Sequence, residues 1–189
     1  MSFSWTPHRF SGGALALDVA NSVILRHLPE KTADRFADPG DLAAFNAAAA
    51  THCAERDVTE ALGHAGTGPI DRLFGLRESI DGFFRARVTG SEDPLLLADL
   101  LEEIARALRL EAEGQNLVTS TARSALRLVA EGDDGRMKIC GHCGWLFLDR
   151  SKNRSRAWCD MTVCGNRAKA SRHYAAAKAR KAGKEGLEP

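Results

Sequence analysis

The 189-residue chain has no long apolar run: nothing in it approaches the roughly 18 consecutive hydrophobic residues that a membrane-spanning helix needs. Its leucine-rich stretch, Leu95 to Leu101, is short and gives way to Glu102 and Glu103. The opening segment, Met1 to Phe10, is polar and lacks the apolar centre of a secretory leader, so a cytoplasmic location is expected. Internal repeats are absent, and low complexity is confined to the Ala/Lys/Gly-rich stretch after Tyr174. Of the five cysteines only Cys53 lies outside one 25-residue stretch. In a reducing compartment thiols stay free, which argues against disulfides and leaves metal ligation as the use of closely spaced pairs.

Those pairs are Cys140-x2-Cys143 and Cys159-x4-Cys164, separated by fifteen residues. Zn²⁺ takes four soft or borderline ligands in a tetrahedron, and a C-x2-C turn places two thiolates on one side of it. A second pair brought back by a hairpin completes the shell. All four ligands are cysteine, with no open position and no neighbouring His-Glu motif, so one structural zinc on Cys140, Cys143, Cys159 and Cys164 is expected. Met137–Ile139 and Trp145–Leu148 read as the strands of a zinc hairpin, and a helix is expected from Asn166 to Arg180: a treble-clef arrangement.

The overall charge of +1 conceals a division. Residues 1–135 carry 13 Lys/Arg against 21 Asp/Glu, a net of −8, whereas residues 136–189 carry 13 against 4, a net of +9. Four thiolates and one Zn²⁺ lower the second figure to about +7. An acidic body joined to a basic, zinc-organised module points to a polyanionic partner for the module, with nucleic acid first.

The first 130 residues read as mostly helical. The segment Ala14–Ile24 fits either period, since Leu15, Val19 and Val23 share a helical face while Leu15, Leu17 and Val19 alternate. Asp38-Pro39 opens a helix to about Cys53, and Val58–His64 a shorter one. Pro69 opens a long helix to about Val88 with the stripe Ile70, Leu73, Leu76, Ile80, Phe83 and Phe84. A further helix is expected from Leu95 to about Glu113, a short strand at Asn116–Thr119, and a helix at Ser120–Ala130 with Ala122, Ala125, Leu126 and Val129 inward. Gly132-Asp-Asp-Gly135 is the expected junction, with few apolar contacts across it. The fold class is thus α+β: a helix-rich domain over residues 1–132, a zinc finger over 136–180, and a flexible tail over 181–189.

From Cys140 onward the residues resemble the CGNR zinc finger. The match runs through Cys140-x2-Cys143, Leu146-Phe147-Leu148-Asp149, Ser151, Asn153, Arg156, Trp158-Cys159-x-Met161 and Cys164-Gly165-Asn166-Arg167-x-Lys169. The run Gly12-Gly13-x-Leu-x-Leu-Asp18-x-x-Asn21 resembles the signature of the ABATE domain, the usual companion of that finger, with Ser22 where many members carry Thr. The resemblance implies a bacterial transcription regulator linked to stress. In it the finger binds DNA and the N-terminal domain senses a small ligand of unknown identity.

Two sets of basic residues are the candidates for nucleic-acid contact: Arg150, Lys152, Arg154 and Arg156 in the loop before Trp158, and Arg167, Lys169 and Arg172 on the helix after the last ligand. Trp145 and Trp158 are expected to pack beside the metal. Asp18 and Asn21, three residues apart, either line a polar ligand pocket or hold a neighbouring loop, the second being favoured. An RNA-binding or protein-docking finger is the alternative reading. A nuclease needs a catalytic His/Asp set that His142, His173, Asp149 and Asp160 do not compose, so no enzymatic activity is expected. A homodimer is expected because one finger grips little surface.

Overall fold

The computed structural model describes residues 3–91, 93–110, 114–132 and 135–185; residues 133 and 134 of the expected junction lie outside the described residues. The chain runs through α1 (Leu15–Ala20), a two-stranded pair β1 (Val23–Ile24) and β2 (Ala33–Asp34), then α2 (Pro39–His52) and α3 (Arg56–Thr59). It continues with α4 (Ile70–Thr89), α5 (Pro94–Leu108), α6 (Leu117–Glu131), the hairpin β3 (Met137–Ile139) and β4 (Leu146–Leu148), and α7 (Asn166–Glu185). Both strand pairs are antiparallel; in the second, Met137 faces Leu148 and Ile139 faces Leu146.

Helix starts follow the local chemistry. Asp38 accepts from the amides of Gly40 and Asp41 with Pro39 in the first turn, and Asp93 accepts from Leu95 N ahead of Pro94. Asn116 and Thr119 cap each other reciprocally, so the stretch expected as a strand at Asn116–Thr119 is instead the start of α6. The Leu-Val-Thr run has strand propensity, but the capping box and the packing of Leu117 and Val118 in the core override it.

The ambiguous Ala14–Ile24 segment divides: its first part is α1, and the chain extends only at Val23. All six residues of α1 are buried, against α4, α6 and β4. A helix this short has no stability of its own, and its end is capped from a distance. Glu55 Oε2 accepts from Leu15 N (2.8 Å) and Ser124 Oγ from Ala16 N (2.9 Å).

The stripe of α4 buries Leu73, Leu76, Ile80 and Phe84, but Ile70, in its first turn, is half exposed. On α6 the inward face is Ala122, Ser124, Ala125 and Leu128, while Leu126 points to solvent. The junction is not poor in apolar contacts, as the charge reversal had suggested: Met137 and Leu146 of the hairpin are buried in the same core as α1, α4 and α6. Apolar pairing of that hairpin face with the helices decides the packing, and charge balance does not.

Candidate metal centre and nucleic-acid interface

The seat for the hairpin is the Gly12–Asn21 segment. Asn21 Nδ2 donates to Leu146 O (2.9 Å) and Leu146 N donates to Asn21 Oδ1 (3.0 Å), so one side-chain amide acts as a neighbouring strand. Leu148 N donates to Gly12 O (2.9 Å), and the Arg150 guanidinium donates to Gly13 O (2.8 Å). At Gly12 a Cβ would stand 2.7 Å from Asp18 Oδ1, and at Gly13, whose φ is +86°, 3.3 Å from Leu148 Cβ. Gly12 thus leaves room for the Asp18 carboxyl, and Gly13 takes the left-handed turn against the hairpin that other residues rarely adopt.

Asp18 Oδ1 accepts from Gly12 N (2.9 Å) and thereby shapes the glycine turn. Burial lifts its carboxyl well above the ordinary carboxylate range, and the nearby Glu55 adds to that. The Cys53 thiol beside it is buried and pushed up for the same reason. Asp18 and Asn21, only 1% and 4% exposed, therefore lie within the seam between the helical body and the hairpin.

The four cysteine Sγ atoms lie within 4.8 Å of one another. A tetrahedron with Zn–S arms of roughly 2.3 Å has edges of about 3.8 Å. The Cys143–Cys159 and Cys159–Cys164 sulfurs are both 3.7 Å apart, so the cluster has the dimensions of one tetrathiolate zinc. Four thiols packed this closely titrate as one set, and their thiolates repel one another unless a cation lies among them. Protons alone satisfy four such sulfurs badly; a divalent cation holds all of them as thiolates.

Cys140, Cys159 and Cys164 are buried, Cys143 partly so. Gly144 N donates to Cys140 O (2.9 Å), closing the first knuckle, and Gly141 N donates to Ala157 O (3.1 Å), tying it to the second half. At Gly144, with φ +75°, a Cβ would come within 2.5 Å of His27 Nδ1. Trp145 is buried and half-buried Trp158 lies over Gly141 and Gly165.

The polar N-terminal segment reaches this centre, which the sequence did not signal. His8 Nδ1 lies 3.1 Å from Asp160 Oδ2, its Nε2 stands 3.9 Å from Cys164 Sγ, and its ring stacks on Trp145 at 5.3 Å. This is the outer layer that orients metal ligands. From α4, Arg85 is gripped by Asp81 and donates to Gly144 O (3.0 Å). Both links span too much sequence for any local pattern to reveal them.

Asp149, fully buried at the end of β4, organises the basic loop. Its oxygens accept from Lys138 Nζ (2.8 Å), Ser151 N (3.0 Å), Ser151 Oγ (2.6 Å) and Arg156 N (2.8 Å). Burial alone would raise its pKa, but these donors, Lys138 foremost, hold it well below the ordinary carboxylate range. An Asp-x-Ser step at a strand end was the available signal for this turn.

Of the basic candidates in the loop, Arg150, Lys152 and Arg154 are exposed, Arg150 being also tied to Gly13 O. Arg156 is half-buried, donates to Cys159 O and lies over the Phe147 ring, so its guanidinium braces the zinc loop. Arg167, Lys169 and Arg172 are exposed on α7, which continues to Glu185 and so takes in most of the expected tail. The amides ahead of α7 are taken: Asp160 accepts from Thr162 N and Val163 N. Phosphate contact on this helix therefore falls to its side chains.

Two family models match the chain. The ABATE model, described as "Putative stress-induced transcription regulator", matches residues 13–136, and the CGNR zinc finger model matches residues 136–177. No curated protein and no solved structure matches it. No helix of the described residues is long and apolar enough to cross a membrane.

Proposed function

From a chain that belongs to the ABATE family and continues into a CGNR zinc finger, we propose a DNA-binding transcription regulator that works in the cytoplasm and is not an enzyme. The observation that carries this reading is α7. It is 20 residues long, packs mainly on the turn that precedes it among the described residues, and leaves Arg167, Lys169, Arg172 and Lys178 exposed. These exposed cationic side chains gain nothing from the protein's own core, and the surface they form is suited to an external polyanion. The zinc centre anchors the turn ahead of α7 through Cys164, and the loop organised by Asp149 presents Lys152 and Arg154 from the same module.

Five phosphate contacts by Lys152, Arg154, Arg167, Lys169 and Arg172 give a slope of about −4.5 in log K against log[salt] on duplex DNA. Replacing one of them by Gln should reduce the slope by about one and weaken all sequences alike, whereas loss of a base contact should cost about 1–3 kcal/mol at one position of the site. Fluorescence anisotropy across a salt series with the zinc-loaded protein measures this. A salt-independent or undetectable affinity for any duplex removes the reading. A single finger covers little DNA, so the regulator is expected to act as a dimer on two half-sites.

A further inference from the structure

We propose that the cavity between the N-terminal segment and the first zinc knuckle binds a small organic anion, a carboxylate or phosphate monoester carried on a flat apolar body. The cavity holds about 390 Å³, and its walls include His8, Arg9, Ile24, Leu25, Cys143, Trp145 and Arg167. That volume lies within the range of small-molecule sites, which are mostly apolar with a few placed polar groups. Ile24, Leu25 and the Trp145 ring supply the apolar part.

The polar part is cationic. Arg9 and Arg167 line the cavity, no carboxylate does, and neither is ion-paired among the described residues. Arg35 stands near enough for its charge, with that of Arg167, to bear on Arg9, and both Arg9 and Arg35 flank the Phe3 ring. Asp160, which approaches the site through His8, is engaged by that ring. A zinc tetrathiolate carries a formal charge of −2. That charge is spread over four sulfurs, of which the partly buried Cys143 lines the cavity and, with Cys164, acts on Arg9; once Arg35 behind the wall is added, the three guanidiniums exceed it by one.

The second observation is independent of charge. Trp145 is 4% exposed, and its indole N–H has no acceptor among the described residues. A buried donor without a partner carries its full desolvation cost. The Trp145 ring lines the cavity, so an anion seated against it alters the surroundings of this N–H and relieves it if the ring shifts to meet the anion, while the Arg9 guanidinium, 5.8 Å from the ring centroid, supplies the countercharge.

Occupancy of the cavity stands apart from the nucleic-acid reading, but its consequence rests on that reading. Arg167 belongs both to the cavity and to the exposed start of α7. An anion held by Arg167 competes with a backbone phosphate for the same guanidinium. Bound anion therefore lowers affinity for duplex DNA and removes about one unit from the salt slope.

The test uses the zinc-loaded full chain labelled with ¹⁵N, titrated with phenyl phosphate and with benzoate, while the indole N–H resonances are followed. Trp145→Phe identifies the Trp145 signal. A saturable shift at Trp145, with Trp5 unmoved, is expected. Arg9→Gln and Arg167→Gln should each weaken binding about tenfold, and Arg72→Gln on the exposed face of α4 should leave it unchanged. Arg167 is exposed, so its variant folds whatever the cavity does. The absence of a saturable shift with either probe, or an affinity indifferent to both arginine substitutions, overturns the proposal. A Trp145 shift produced by duplex DNA but by neither probe also overturns it, and makes the cavity part of the nucleic-acid surface. Saturation by a probe in a protein that binds no duplex upholds the cavity and removes the DNA-binding reading instead.

Discussion

The helical body and the zinc module are held together by different means. In the body, leucines, phenylalanines and alanines from α1, α2, α4, α5 and α6 form one continuous core, and polar groups such as Glu55 and Ser124 only finish the ends of helices. In the module the buried apolar side chains apart from the cysteines are Trp145 and Phe147, with Ile24 and Trp158 packed partly against them. The other inward residues of the hairpin, Met137 and Leu146, belong to the body's core. Apolar burial thus suffices for the body, whereas the module depends on a metal inside and on a seat outside.

The largest effect that sharpens this contrast is loss of a ligand. Structural zinc supplies roughly 10–16 kcal/mol of apparent binding free energy in finger peptides, more than two buried aromatic side chains provide. Cys159→Ser should unfold residues 140–165 while α2, α4, α5 and α6 keep their helicity. Far-UV circular dichroism together with a zinc assay reads both halves. Complete loss of helical signal would show that the body has no independent core.

A smaller effect is expected at the seat. Asn21→Ala leaves the buried N–H and C=O of Leu146 without partners, at about 1–3 kcal/mol for each group. The zinc-loaded variant should therefore be less stable to urea by about 2–6 kcal/mol. A loss of under about 0.5 kcal/mol, as for an ordinary surface change, would mean that the hairpin docks without this amide.

The smallest effect concerns pH. Burial raises the Asp18 carboxyl above its ordinary value of 3.8, so the folded protein holds that proton to higher pH than the unfolded chain. Stability from this group is complete below that value and is lost as pH rises through the folded one. Asp18→Asn keeps an oxygen for Gly12 N and removes the ionisation. Its melting temperature relative to the natural protein should climb as pH rises above about 4 and level off above the folded value. A difference that is flat across the range would place the Asp18 pKa in the ordinary carboxylate range.

What the sequence made legible follows the same contrast. Metal ligation admits few residue types at tight spacing, so the four cysteines are readable one by one, and the α4 stripe is readable because its apolar residues repeat at the helical period. On α6 the rule fails: its inward face is built partly from Ser120, Thr121 and Ser124, and Leu126 is outside. The contacts of His8 with Asp160 and Cys164 cross more than 150 residues, and Asn21 meets Leu146 across 125. No periodicity or spacing records such pairings. The Gly12–Asn21 run stood out as a signature, but its use as a seat for the hairpin becomes visible only when the chain is folded.

If the seat and the metal stabilise the same hairpin, they are linked, and damage to one must weaken the other by the same free energy. Asn21 touches no ligand, which makes it the clean place to ask. The decisive measurement is the zinc affinity of Asn21→Ala against that of the natural protein, by competition with a chelator of known strength. A coupling of about 2 kcal/mol predicts an affinity about 30-fold weaker in the variant. Equal affinities would contradict the account, and would make the finger a module that only rests against the helical body.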